Sequence, residues 1–359
     1  MSGGFSGGFS GGFSGGFSGG FSGGFSGGFS QQGGVGPVAL ATSRAGIVGP
    51  FEGPTLNPPL HPFANPDNLA LWAEGPRLTA CLQELMEGLT ITADGESREG
   101  EMAFADLNAS RIRRHKLLTL KGPTKNQLKH QLQLVAAYAD LRSDRAAEII
   151  DQLAPPLMFW AQITGMLEHR HKKTAQIVEL ALALAVQVEM RFKSMFAVVR
   201  PVEFSPQIQP IIPTPGHGSW PSGHATEAFV AATVLEALLD EARGRKHDGR
   251  ESHVQLQRLA ARIAINRTVA GVHYPIDSAV GRLIGTSLGD YFLARAKGGY
   301  THPRSFDSDK FVSADGTPKD FDLHDPMDKG AYGLSRSKVE MPKAANLGWL
   351  WSEAVKEWK

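Results

Sequence analysis

Thr174–Phe192 reads TAQIVELALALAVQVEMRF, apolar on almost every face of a helix. A helix without a polar side has to be buried all round, so this stretch predicts a central helix with others packed about it. Outward from it, Arg77–Leu89, Lys125–Leu141 and Asp144–Met166 carry apolar residues at helical spacing, the last interrupted by Pro155-Pro156, which should break or kink it. Leu256, Leu259, Ala260, Ile263 and Ala264 follow one stripe, and Val280, Leu283, Ile284 and Leu288 another. Convincing alternating strand runs are missing from this reading. The expectation is an all-α helical bundle with its functional site between helices.

The ends have a different character. Residues 2–29 are seven copies of Ser-Gly-Gly-Phe. Glycine makes this repeat costly to order and one Phe per four residues offsets little, so 1–30 is expected to be disordered. Residues 31–75 read as a Pro/Gly-rich arm, 76–297 as the helical catalytic domain, and 298–359 as a loop-rich extension. The extension ends in a Trp-bearing helix that would dock on the body or on a second subunit of a homo-oligomer. A formal net charge of +1 builds no global field for nucleic acid or anionic membrane, so anion attraction has to be local. The lone Cys81 excludes an intrachain disulfide and reads as core. No apolar run approaches the roughly 20 residues of a membrane span. With no signal peptide visible either, the expectation is a cytoplasmic protein.

Local anion attraction has candidate residues. Pro221-Ser222-Gly223-His224 stands just before an apolar run starting at Ala228. Ser caps helices, Gly admits a close backbone approach, and a helix N-terminus presents free N–H groups. The segment is thus either an anion cradle with an imidazole beside it or a plain cap. Arg267 falls on the stripe of Leu256, Leu259, Ala260 and Ile263. A guanidinium there needs an oxyanion or a structural carboxylate such as Asp277 or Glu227. Lys193 and Arg200 lie two turns apart where Pro201 should end the central helix. They serve an anion or merely the last carbonyls. His273 and Asp277 are spaced so that the carboxylate can hold one ring nitrogen, although Pro275 also makes Asp277 an ordinary helix-start acid.

Taken in order, Lys193-x6-Arg200-Pro201, Pro221-Ser222-Gly223-His224 and Arg267-x5-His273-x3-Asp277 resemble the phosphatidic acid phosphatase type 2 and vanadium haloperoxidase superfamily. The one departure is Asn266, where the family has Ser before the last Arg. The resemblance implies that Lys193, Arg200 and Arg267 neutralise the oxygens of vanadate or phosphate, with Ser222 and the Gly223 amide hydrogen-bonding them. It implies His273 as the axial group, bonded to vanadium or attacking phosphorus, Asp277 as its orienter, and His224 as general acid–base.

Two chemistries share that cage. His217 matches a second histidine of bromide-oxidising haloperoxidases, and the expectation is a vanadium-dependent haloperoxidase with vanadate as cofactor. It would oxidise bromide or iodide, rather than chloride, with hydrogen peroxide. The alternative is a soluble phosphatase that hydrolyses phosphate esters through a phosphohistidine. Gly218-Ser219-Trp220-Pro221-Ser222-Gly223-His224 is similar to the acid phosphatase segment, whereas Ala270-Gly271-Val272-His273 lacks its Cys. A third reading is a non-enzymatic anion-binding module using the basic stretch 107–139. Its poor aromatic interleaving favours a solvated face and no nucleic-acid partner.

Overall fold

The computed structural model describes residues 37–48, 53, 56–58, 61–243 and 249–359. The Ser-Gly-Gly-Phe repeat lies outside them. Contacts divide the chain into two units, Met1–Ala80 and Cys81–Lys359. In the first, helix α1 (Pro37–Ile47) precedes a tight turn at Pro66–Leu71, and Arg77 Nε donates to the Leu69 carbonyl at 2.9 Å. Helix α2 (Glu74–Met86) straddles the division.

The second unit corrects the all-α expectation. Strands β1 (Leu89–Asp94), β2 (Glu99–Ala105) and β3 (Arg114–Lys121) form an antiparallel meander directly after α2. Their signal was obscured for physical reasons. The helical stripe of α2 runs visually into Leu89, but Gly88 adopts φ +77° and turns the chain. Leu89-Thr90-Ile91-Thr92 then alternates buried and exposed. In β2 a register shift between Met102 and Ala103 puts consecutive residues into the core, and Leu117-Leu118 of β3 are both buried. Neither strand therefore shows period 2.

Helices α3 (Lys125–Ala137), α4 (Arg142–Asp151), α5 (Leu157–Thr164), α6 (Lys172–Phe196), α7 (Pro201–Phe204), α8 (Gly223–Arg243), α9 (Gly249–Val269) and α10 (Pro275–Lys297) follow. Pro155-Pro156 separates α4 from α5, as their geometry requires. Beyond α10, β4 (Gly299–Thr301) pairs with β7 (Val339–Met341). Strand β5 (Arg304–Asp307) joins β3 in parallel, and β6 (Tyr332–Leu334) joins β5, giving a mixed five-stranded sheet in the order β1-β2-β3-β5-β6.

The helical core is α6, α8, α9 and α10, with α8 packed against the other three. Gly281 and Gly285 let α10 press onto α8: a Cβ at Gly285 would sit 2.4 Å from the Thr226 carbonyl. That approach carries the start of α10 to the start of α8, where the Ser222 amide donates to the Asp277 carbonyl at 3.0 Å. The final helix, α11 (Ala345–Lys356), packs on α6, and Glu357 just after it accepts from the Lys173 and Thr174 amides at 2.6 and 2.8 Å. A carboxylate from the chain end thus caps α6 at its N-terminus. Among the described residues no helix is long and apolar enough to cross a membrane.

Candidate active site

Helix α6 is buried along most of its length, and its last buried residue is Lys193. The helix stops at Phe196, Ala197 turns with φ +46°, and Arg200 is extended before Pro201 starts α7. The two cations leave the same helix end, as their spacing suggested. Lys193 Nζ hydrogen-bonds the Pro221 carbonyl, which ties α6 to the segment opening α8. Burial lowers the Lys193 ammonium to about 8.

Arg200 is the hub. Its Nη1 reaches the Val272 carbonyl at 2.8 Å and His273 Nε2 at 3.1 Å, while its Nη2 reaches His217 Nδ1 at 3.2 Å. A guanidinium only donates, so His273 Nε2 is an acceptor with a lone pair. The other ring nitrogen, Nδ1, then carries the proton and donates to Asp277 Oδ2 at 2.8 Å. Asp277 sits in the first turn of α10, and its Oδ2 also accepts from the Tyr274 amide at 3.1 Å. Burial moves both members toward neutrality, raising Asp277 to about 7 and holding His273 well below the usual imidazole range. His217 is exposed at the rim, yet burial of its ring brings it down to about 4.

Ser222 is wholly buried immediately before α8, and its Oγ accepts from the Ala225 amide at 3.4 Å. Gly223 opens the helix close against Glu189: a Cβ would stand 2.5 Å from Glu189 Oε1, so any larger residue would have to push that carboxyl aside. His224 Nε2 faces the Gln152 carbonyl at 3.0 Å, which only accepts, so Nε2 holds a proton and Nδ1 is left for exchange. Burial, reinforced by Arg267, pushes His224 well below its ordinary value.

Arg267, near the end of α9, is 1% exposed. Its Nη2 donates to Gln152 Oε1 at 2.9 Å and to the Ile149 carbonyl at 3.3 Å, not to Asp277. Its Nε and Nη1 are buried with no hydrogen-bond partner. Asn266 beside it ties Glu148, Gln152 and Arg145 together at 2.9–3.0 Å. A cavity of about 530 Å³ opens beside the cage, with Lys193, Arg200 and His217 on its wall among Met190, Val198 and Pro215.

The nine residues singled out from the sequence therefore converge. Arg200 touches His217 and His273, His273 touches Asp277, Asp277 meets Ser222, and Lys193 meets the Pro221 carbonyl. His224 and Arg267 are joined to one another through Gln152. Sequence reasoning missed Gln152, because nothing in the spacing of α4 links it to α9. It also missed Glu189, a carboxyl one turn before Lys193 on a helix otherwise read as core.

Residues 175–296 match the model of the PAP2 superfamily. The chain carries a PAP2 superfamily domain. That domain runs from the first turn of α6 to the end of α10 and so contains every residue of the cage. A vanadium-dependent bromoperoxidase from Ascophyllum nodosum is 33% identical over a match covering 21% of this chain and 17% of that protein. This chain thus spans under a fifth of that relative's length. Two solved structures are similar at low identity. One is a transmembrane PAP2-type phosphatidylglycerolphosphate phosphatase from Bacillus subtilis, at 17% identity and TM-score 0.30, covering 46% of this chain and 91% of that one. The other is a bacterial vanadium-dependent iodoperoxidase, at 20% identity and TM-score 0.35, covering 46% of this chain and 48% of that one.

Proposed function

We propose that this PAP2 domain is a vanadium-dependent haloperoxidase that oxidises bromide or iodide with hydrogen peroxide. The observation that carries the reading is Arg267. A buried guanidinium with two unpartnered nitrogens is costly unless an anion meets them. Vanadate suits the donor set: Arg267, Arg200 and Lys193 supply charge, Ser222 and the Gly223 amide supply neutral donors, and His273 Nε2 supplies one lone pair for the metal. Vanadate bound there would supply the Lewis-acid activation of hydrogen peroxide that halide oxidation needs.

The chain's own residues do the rest. Asp277 holds the His273 proton on Nδ1 and so keeps Nε2 basic and aimed. Arg200, now on Nε2, would turn its donor to the anion. His224 keeps one proton on Nε2 and, with Nδ1 free, would accept a proton there from peroxide and hand it to a departing hydroxide, which leaves as water. His217 stands at the cavity wall, tied to Arg200, where an incoming halide passes. Buried donors fixed before the anion arrives are the arrangement that stabilises developing negative charge.

A phosphatase reading rests on the same dyad. With Nδ1–H on Asp277, His273 Nε2 is a nucleophile for phosphorus, and His224 would protonate the leaving alkoxide. Incubation with orthovanadate followed by bromide- and iodide-dependent peroxidase assays decides between them. Peroxidase activity that needs halide and vanadate is expected. Halide-independent ester hydrolysis that vanadate inhibits, with no peroxidase signal, would transfer the cage to the phosphatase reading.

A further inference from the structure

Two carboxyls that the mechanism does not use stand against the cage. Glu189 lies one helical turn before Lys193 on α6 and is 4% exposed. Its Oε1 sits against the Gly223 backbone, 2.5 Å from where a Cβ would be, and its Oε2 is buried with no partner. Glu227 lies one turn after Gly223 on α8, half-buried. Lys193 and Arg200 act on Glu189, while Lys193 and Arg267 act on Glu227, which also feels the Glu189 carboxyl. An oxyanion entering the cage would bring further negative charge onto these same cations.

Resting on the oxyanion reading, we propose that Glu189 and Glu227 are positioning residues that take up a proton when an oxyanion enters, and so set the net charge the cage accepts. The proton comes from bulk buffer and ends on a carboxylate oxygen of the pair; no other bond changes. Geometry compels the coupling, because Lys193 cannot fully neutralise a carboxylate four residues away and an anion at Gly223 together. Burial already inclines both acids toward the neutral form, Glu189 to about 7 and Glu227 well above the carboxylate range. An arriving anion raises them further, so uptake is expected at and above neutral pH, and affinity should fall as pH rises there.

The test uses the full chain and inorganic sulfate, which is a dianion throughout pH 6–9 and cannot itself accept the proton. Calorimetric titration at pH 8 in buffers of different ionisation enthalpy gives protons taken up per sulfate bound. Wild type should take up a substantial fraction of one proton, and sulfate affinity should fall by up to about tenfold per pH unit for one linked proton. Glu189→Gln should remove most of the uptake, flatten the pH dependence and tighten binding at pH 8 by about tenfold. Glu227→Gln repeats the measurement should the first variant fail to fold. His273→Ala separates uptake at the imidazole from uptake at the pair, and Lys193→Arg, charged throughout the range, does the same for the Lys193 amine, which lies at about 8. Saturable binding with uptake unchanged in both glutamine variants would overturn the inference while leaving the cage intact. Absence of saturable binding by both sulfate and inorganic phosphate would instead remove the cage, and this inference with it.

Discussion

Replacing Arg267 with methionine should sever anion binding from stability. In the structure two guanidinium nitrogens are buried and unmet, each costing about 1–3 kcal/mol, against one good hydrogen bond to Gln152 and a longer one to Ile149. Met fills much of the same volume without a charge to desolvate. The two sides offset, so anion-free Arg267→Met is expected within about 2 kcal/mol of wild type, in either direction. The anion's contribution is different. A ligand at a hundred times its Kd adds about 2.7 kcal/mol of stability, and the variant should lose most of it. Thermal and urea unfolding with and without orthovanadate measure both quantities. Loss of more than about 4 kcal/mol in the anion-free variant would make Arg267 a structural tie of α9 to α4, the range of a broken buried ion network. Retained stabilisation by vanadate would equally refute the reasoning.

Other variants address single roles. His273→Ala should abolish vanadate retention after desalting, whereas His224→Ala should retain it and lose about a hundredfold or more in turnover. Asp277→Asn should weaken vanadate binding by about 10–100-fold, since the neutral amide removes the carboxylate charge that holds the His273 proton on Nδ1. His217→Ala should leave vanadate bound but change halide preference or rate. Because the wild-type ring is held near 4, its positive charge is present below that pH and gone above it. Halide KM should therefore rise as pH climbs through about 4, and that inflection should vanish in the variant.

How much of this was legible follows from where each signal lives in the chain. Lys193, Arg200 and the His273–Asp277 pair each sit within seven residues of their motif partners: the end of α6 releases the two cations together, and the start of α10 turns the His273–Asp277 spacing into contact. The sheet was not legible, because α2 leads into β1 through a single glycine and a bulge spoils the alternation of β2. Partners supplied from a distant element were equally hidden. Arg267 was expected to meet an oxyanion or a structural carboxylate such as Asp277 or Glu227; its side-chain partner within the protein is Gln152, more than a hundred residues earlier.

The buried acids bear on how three cationic side chains can be held together in the interior. Lys193, Arg200 and Arg267 are all almost completely buried. Left alone, three such charges would repel one another, and burial lowers each of them. Glu189, Glu227 and Asp277 stand among them on α6, α8 and α10; burial draws these acids toward the neutral form and the neighbouring cations draw them back toward the carboxylate. On the oxyanion reading, whatever negative charge these acids retain makes them provisional counter-ions until the anion arrives. An entering oxyanion would then displace their claim on the cations rather than organise the site anew, which is the physical content of a preorganised electrostatic pocket.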